Sequence, residues 1–153
     1  MFAQPKNNVS HWLDAIEDPW YILILQIQET IFEETTNFYK KRNIHNILLP
    51  ITTGSISSPM GLGSDSKPVK VSIGGKETYL ADSMQFLLEY GCRFFDNGCY
   101  YIMPSFRGED VDKRHLSQFF HSEAEIHGDL DNVMNLVDEY VKYLLVKILK
   151  KHG

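Results

Sequence analysis

Two stretches of this chain repeat their apolar residues at helical spacing, and the stretch between them alternates apolar with polar. The first periodic run begins after Asp18-Pro19, an acidic residue followed by proline at a first-turn position. Trp20, Ile24, Ile27, Ile31 and Phe38 fall near one face, and Glu29, Glu33 and Glu34 on the other. Lys40-Lys41-Arg42 close the run with charge that suits a helix C-terminus. The pattern predicts an amphipathic helix packed on a sheet. The last run is longer: Leu130, Val133, Met134, Val137, Val141, Leu144, Leu145 and Ile148 keep the i, i+3, i+4, i+7 spacing. Asp129 and Asp131 open it, and Lys147, Lys150 and Lys151 close it.

Between these helices the pattern predicts strands. Ile44 to Ile51 reads as a short buried strand, Val69 to Ile73 and Glu77 to Ala81 as a hairpin turning at Gly74-Gly75. Asp82 or Ser83 caps a short helix running through Glu89 and stopped by Gly91. Phe94 to Phe106 and Phe119 to Ile126 are two further strands joined by a charged loop. From Thr52 to Pro68 the chain turns to Thr, Gly, Ser and Pro, a long irregular loop of the kind that is functional or disordered. Helix, mostly antiparallel strands, then helix is an α+β domain, a mostly antiparallel sheet flanked by helices.

Composition narrows the function classes. At 153 residues the chain is long enough for a sizeable core, and its apolar and charged fractions, 43% and 23%, are ordinary for a globular protein. A net charge of −5 argues against electrostatic coating of DNA or RNA, though not against a local phosphate site. Cys92 and Cys99 lack the spacing of a zinc site and are expected as reduced thiols. Met1 to Lys6 lacks the pattern of a signal peptide, and the most apolar run, Trp20 to Ile27, is too short to span a bilayer. The expectation is a soluble cytoplasmic protein with no DNA or membrane partner.

The chemistry concentrates at Tyr101–Glu125. Alternation places Tyr101, Met103, Ser105, Arg107 and Glu109 on one face of a strand, and Phe119, His121, Glu123 and Glu125 on one face of the next. Such a mixture of charges and an aromatic ring is not expected of a core face. The connecting loop adds Lys113, Arg114 and His115. A guanidinium on a strand, a basic loop and a ring are the parts needed to hold a nucleotide: Arg107 for an α-phosphate, Arg114 and His115 for distal phosphates, Phe119 for the base. A solvent-facing hairpin with surface ion pairs accounts for the same residues without a ligand.

Phe106-Arg107-Gly108-Glu109, then Arg114-His115-Leu116, Phe119 and Glu123-Ala124-Glu125, resemble motif 2 of class II aminoacyl-tRNA synthetases of the aspartyl/asparaginyl kind. Gly108 stands where that family has Ala, and Gln118-Phe119 where it has Glu-Phe. The resemblance implies a partial class II catalytic core. In it Arg107 is the catalytic contact to the α-phosphate and carboxylate, Glu109 reads the adenine amino group, Arg114 and His115 hold the pyrophosphate, and Phe119 stacks on adenine. Ile44 to Pro50 is similar to motif 1, whose proline lies at the dimer interface; Asn43-Ile44 replaces the usual glycine and aromatic residue there. Thr53 to Asp65 falls where the family has its mobile loop over the amino-acid pocket. By this reading residues 1–17 are an N-terminal extension and 18–153 the catalytic domain with motifs 1 and 2.

Ser83-Met84-Gln85-Phe86-Leu87-Leu88-Glu89 is similar to the family segment that reads the amino acid. Leu88 occupies the place of the lysine that pairs with aspartate, and Glu89 that of the glutamate that accepts from the asparagine amide. A carboxylate accepts from an amide and repels a carboxylate, so Ser83, Gln85 and Glu89 point to asparagine or a neutral analogue. The implied activity uses ATP and Mg²⁺ to form an aminoacyl adenylate for transfer to tRNA. The Gly-rich, arginine-bearing motif 3 and the acidic Mg²⁺ ligands before it do not occur here, so those ligands are expected outside this chain. A homodimer, or completion by another chain segment, is implied. An asparagine-synthetase-like ligase and a non-catalytic dimerisation or sensing domain stay open as alternatives.

Overall fold

A computed structural model describes residues 16–53, 67–110 and 115–153. The loop expected over 52–68 lies outside the described residues except at its two ends, and so do Lys113 and Arg114. The elements are α1 (Pro19–Lys40), β1 (His45–Asn46), β2 (Thr52–Thr53), β3 (Val69–Ile73), β4 (Lys76–Leu80), α2 (Gln85–Gly91), β5 (Cys99–Phe106), β6 (Gln118–Glu125) and α3 (Leu130–His152). They group into two compact units: the helical residues up to Phe38 with Leu130–Gly153, and Tyr39–Asp129.

In the helical unit α1 and α3 run antiparallel, because successive contacts advance along one helix and retreat along the other. Thr30 meets His152 at 2.9 Å, Glu34 meets Lys147 at 3.0 Å, and Thr35 meets Tyr140 at 2.7 Å. Phe38 packs between the rings of Tyr140 and Tyr143. Glu34 therefore faces α3 and not the opposite side, where periodicity alone places it. The Tyr143 hydroxyl, with Lys147 beside it, holds the Glu34 carboxyl below its usual range. Most of the apolar stripe of α3 stays uncovered: Val133, Met134, Val137, Val141 and Leu145 are exposed while Leu144 and Ile148 are half-buried, and α1 meets the neighbouring aromatic and cationic edge. Asp18 caps α1 by accepting from the Trp20 N–H at 2.9 Å. Neither this helix nor any other described one is long and apolar enough to cross a membrane.

The end of α1 explains one departure from the motif 1 pattern. Ile44 N–H bonds Tyr39 C=O and Asn43 N–H bonds Lys40 C=O, the paired bonds of a Schellman cap. Its αL residue is Asn43, with φ 56°. Asparagine tolerates that conformation better than other residues with a Cβ, and so takes the place of glycine.

The second unit holds two three-stranded sheets, ordered β1-β5-β6 and β2-β4-β3. Among the described strands only β1 and β5 pair in parallel. The β3-β4 hairpin turns at Gly74-Gly75 with φ 58° and 77°, both positive as a type I′ turn requires. The strand expected over Ile44–Ile51 shrinks to His45–Asn46, and Leu48 is 95% exposed, because the segment pairs with β5 only at its start. The strand expected from Phe94 begins only at Cys99, since residues 94–98 make a turn closed by Gly98 N–H on Phe95 C=O.

The core lies where α2 and the segment before it cover β5: Ala81, Met84, Leu88, Cys99, Tyr101 and Met103 are buried, with Ile47, Leu49, Cys92 and Phe95 packed against them. Both cysteines are free thiols. Burial, with Cys92 nearby, pushes the Cys99 thiol up to about 12.

Candidate nucleotide and amino-acid site

The β5-β6 hairpin is antiparallel, with Tyr101 opposite Glu123, Met103 opposite His121 and Ser105 opposite Phe119. Opposite residues share a face, so the two sets expected from alternation do combine into one surface. That surface is not wholly polar, as the mixture of residue types implied. Its β5 half is core, with Tyr101, Met103 and Ser105 at 2%, 6% and 0% exposure, and its β6 half is half-buried and polar. The physical reason is position in the sheet: β5 is flanked by β1 and β6, whereas β6 is an edge strand.

At the loop end of the hairpin the Arg107 guanidinium lies over the Phe119 ring, 5.4 Å from its centroid. Arg107 N–H bonds Ser117 C=O at 2.9 Å and closes the strand ends around the loop. Arg107 is exposed, so a cation and an aromatic ring are offered side by side to solvent. His115 is described and exposed, whereas Arg114 lies outside the described residues.

Glu109 is clamped from its other side. Lys67 N–H donates to Glu109 Oε1 at 2.9 Å, and Gly108 N–H donates to Lys67 C=O at 2.9 Å. A Cβ on Gly108 would sit 3.0 Å from the Lys67 carbonyl oxygen and 3.3 Å from that of Pro68. A side chain there would push the Lys67 carbonyl back by a few tenths of an ångström, a shift that glycine avoids. Glu109 Oε2 is buried and has no partner among the described residues.

The 81–89 segment is fixed over β5 by several separate bonds. Phe106 N–H donates to Ala81 C=O at 3.1 Å and Ser105 Oγ to Asp82 C=O at 2.6 Å. Met84 N–H donates to Tyr101 Oη at 2.9 Å. Ser83 Oγ is 2.9 Å from both oxygens of Glu123 and accepts the Gln85 N–H at 3.0 Å. Ser83 is thus engaged within the protein, while the half-buried Gln85 and the exposed Glu89 meet at 3.0 Å, amide to carboxylate. Leu88 is fully buried in the core, so its place offers no cation to a substrate.

Carboxylates crowd this end of the site. Burial raises the Glu123 carboxyl above its usual range; the Ser83 hydroxyl and Met84 N–H pull it down, and Asp82 and Glu125 push it up. Glu125 is raised by burial and then by Glu89. His121 is lowered by burial, with Asp82 opposing and Arg107 reinforcing that shift. Its Nε2 lies 3.2 Å from Tyr101 Oη and 3.7 Å from Glu123 Oε2. Alternation puts His121 and Glu123 on the right face, but their link to Ser83 and Met84 depends on an approach between segments about forty residues apart, and no local pattern carries it.

An asparagine–tRNA ligase of Thermoplasma acidophilum is 29% identical over 141 residues, covering 92% of this chain and 31% of the ligase. One from Malacoplasma penetrans is 32% identical over 134 residues, covering 85% of this chain and 29% of that protein. The crystal structure of asparaginyl-tRNA synthetase from Pyrococcus horikoshii complexed with asparaginyl-adenylate superposes with TM-score 0.80 at 26% identity, over 94% of this chain and 33% of that one. The chain spans about a third of the length of these relatives. Residues 6–153 match the family model of class II tRNA synthetases (D, K and N), and the chain belongs to that family.

Proposed function

We propose that this chain carries the nucleotide hairpin and amino-acid-reading segment of a ligase that activates asparagine with ATP, for transfer to tRNA. The observation that carries the reading is the Arg107 guanidinium over the Phe119 ring, with a buried Glu109 Oε2 two residues further on that has no partner among the described residues. Adenine stacks on Phe119 and gives its amino hydrogen to Glu109, and Arg107 takes the α-phosphate. The asparagine carboxylate attacks the α-phosphorus in line; the new P–O bond forms as the bond to the bridging oxygen breaks and pyrophosphate leaves. Arg107 neutralises charge developing on the α-phosphate, and Arg114 and His115 meet the pyrophosphate. Catalysis here is positioning and electrostatics.

Glu89 already accepts an amide N–H, that of Gln85, and the same chemistry would read the asparagine side chain. An aspartate carboxylate would enter among Glu89, Glu123, Glu125 and Asp82, where burial first and neighbouring carboxylates second already raise Glu123 and Glu125. Ser83 holds the segment's shape by way of Glu123. Among the described residues no three His, Cys, Asp or Glu side chains converge as a metal site. No step is assigned to Mg²⁺ here. Residues 18–153 act as one portion of a catalytic core, dimerising through the exposed Pro50 region.

The test is ATP–pyrophosphate exchange by the whole protein. Exchange dependent on asparagine, not on aspartate, and abolished by Arg107→Ala in a folded protein is expected. Exchange that ignores asparagine, or survives loss of Arg107, overturns the reading. Nucleotide binding without exchange would favour a sensing domain.

A further inference from the structure

His121 takes no part in the chemistry above, yet it sits at the junction of two of the bonds that hold the 81–89 segment from the sheet, those made by Met84 and Ser83. Tyr101 Oη accepts the Met84 N–H at 2.9 Å and lies 3.2 Å from His121 Nε2. Glu123 accepts the Ser83 hydroxyl at 2.9 Å and lies 3.7 Å from the same nitrogen. The ring is half-buried and meets Phe119 in a T-shaped contact at 6.0 Å between centroids. We propose that His121 is a positioning residue whose neutral ring keeps the Ser83–Gln85 segment in its amino-acid-reading shape, and whose protonation releases it. The proposal deepens the asparagine-activating reading and rests on it for its link to ligand binding.

In the neutral ring, Nε2 accepts the Tyr101 hydroxyl proton. The tyrosine oxygen is then aligned to receive the Met84 N–H, and Glu123 is left to Ser83. Protonation changes both arms. Nε2–H can no longer accept, so the Tyr101 proton loses its acceptor. The new imidazolium instead draws Glu123 across the 3.7 Å gap, in competition with Ser83. The charged groups around the ring are Asp82 from the segment itself, Arg107 from the end of β5 and Glu123 on the same strand. Burial and Arg107 favour the neutral ring against Asp82. The released state is therefore reached on acidification below the ordinary histidine range.

The experiment follows the His121 ring and the Ser83, Met84 and Gln85 amides by NMR across acid to neutral pH in the full chain. In parallel, a non-hydrolysable asparaginyl-adenylate analogue is titrated calorimetrically. The Met84 and Gln85 amides should shift with the ring's own midpoint, and analogue binding should weaken by up to about tenfold per pH unit below it, the slope of one linked proton. His121→Gln, which keeps a polar amide but cannot titrate, should flatten both profiles while leaving the fold intact. Amides that stay flat while His121 titrates, or a His121→Gln variant with the wild-type pH slope, overturn the proposal. If the analogue does not bind at any pH, the asparagine reading fails, and the amide titration still decides the role of His121.

Discussion

Replacing Tyr101 with phenylalanine removes a single oxygen from the middle of the core. The residue is 2% exposed, and its hydroxyl receives the Met84 N–H at 2.9 Å with His121 Nε2 at 3.2 Å. The ring volume is nearly conserved, so no cavity term enters. What remains is a buried backbone donor deprived of its acceptor, which costs about 1–3 kcal/mol. Met84 N–H also lies near enough to Glu123 to stabilise its carboxylate, and that fallback puts the expected loss at the lower end, about 1–2 kcal/mol. Urea unfolding followed by circular dichroism should show a lower midpoint with an unchanged slope. Native-state exchange of the Met84 amide should accelerate about 5–30-fold, the factor that this free energy implies. A stability change below about 0.5 kcal/mol, the range of neutral surface substitutions, with unaltered Met84 exchange would refute the reasoning.

Three further outcomes follow from the same geometry. Gly98→Ala places a Cβ 2.2 Å from the Glu125 carbonyl oxygen at φ 92°, and should lower unfolding stability by about 3–5 kcal/mol from strain and overpacking together. Iodoacetamide at neutral pH should label Cys92 well before Cys99, whose thiol is fully buried and pushed up to about 12; mass spectrometry after timed quenching reads the order. Glu123 binds its proton more tightly folded than unfolded, so its contribution to stability is lost as pH rises from the ordinary carboxylate range through its raised value. Glu123→Gln, whose amide oxygen still accepts from Ser83, should therefore gain on wild type in urea midpoint as pH is raised over that window, and a constant difference would contradict it.

The helices are legible in the sequence because a 3.6-residue apolar period over twenty or so residues fits little besides a helix. The period does not say which side is covered. In α3 most of the apolar stripe is exposed, and the Tyr140, Tyr143 and Lys147 edge meets α1 through bonds to Thr35 and Glu34. The β5-β6 hairpin is legible through alternation, and its register puts Arg107 and Phe119 together as expected. Ile44 to Ile51 is a different case: the run carries no alternation to fix its pairing, and its contact with β5 ends at the Ile47 N–H bond to Tyr100 C=O. Least legible are the long-range bonds. Lys67 to Glu109 and Ser83 to Glu123 join residues 42 and 40 apart, and such a bond is a property of the fold, not of any window of sequence. Gly108 shows the limit well: it reads as a mild change from alanine, and its reason appears only with the Lys67 carbonyl oxygen 3.0 Å from where an alanine methyl would stand.

The central claim is that the Arg107–Phe119 hairpin and the Gln85–Glu89 segment together hold an asparaginyl adenylate. Calorimetric titration with paired non-hydrolysable asparaginyl- and aspartyl-adenylate analogues tests it most directly, in wild type and in Arg107→Ala. Saturable binding of the asparaginyl analogue in preference to the aspartyl one is expected, weakened about 10–100-fold when the guanidinium's charged hydrogen bonds are removed. Equal affinity for both analogues, or binding indifferent to Arg107 in a folded variant, would contradict it.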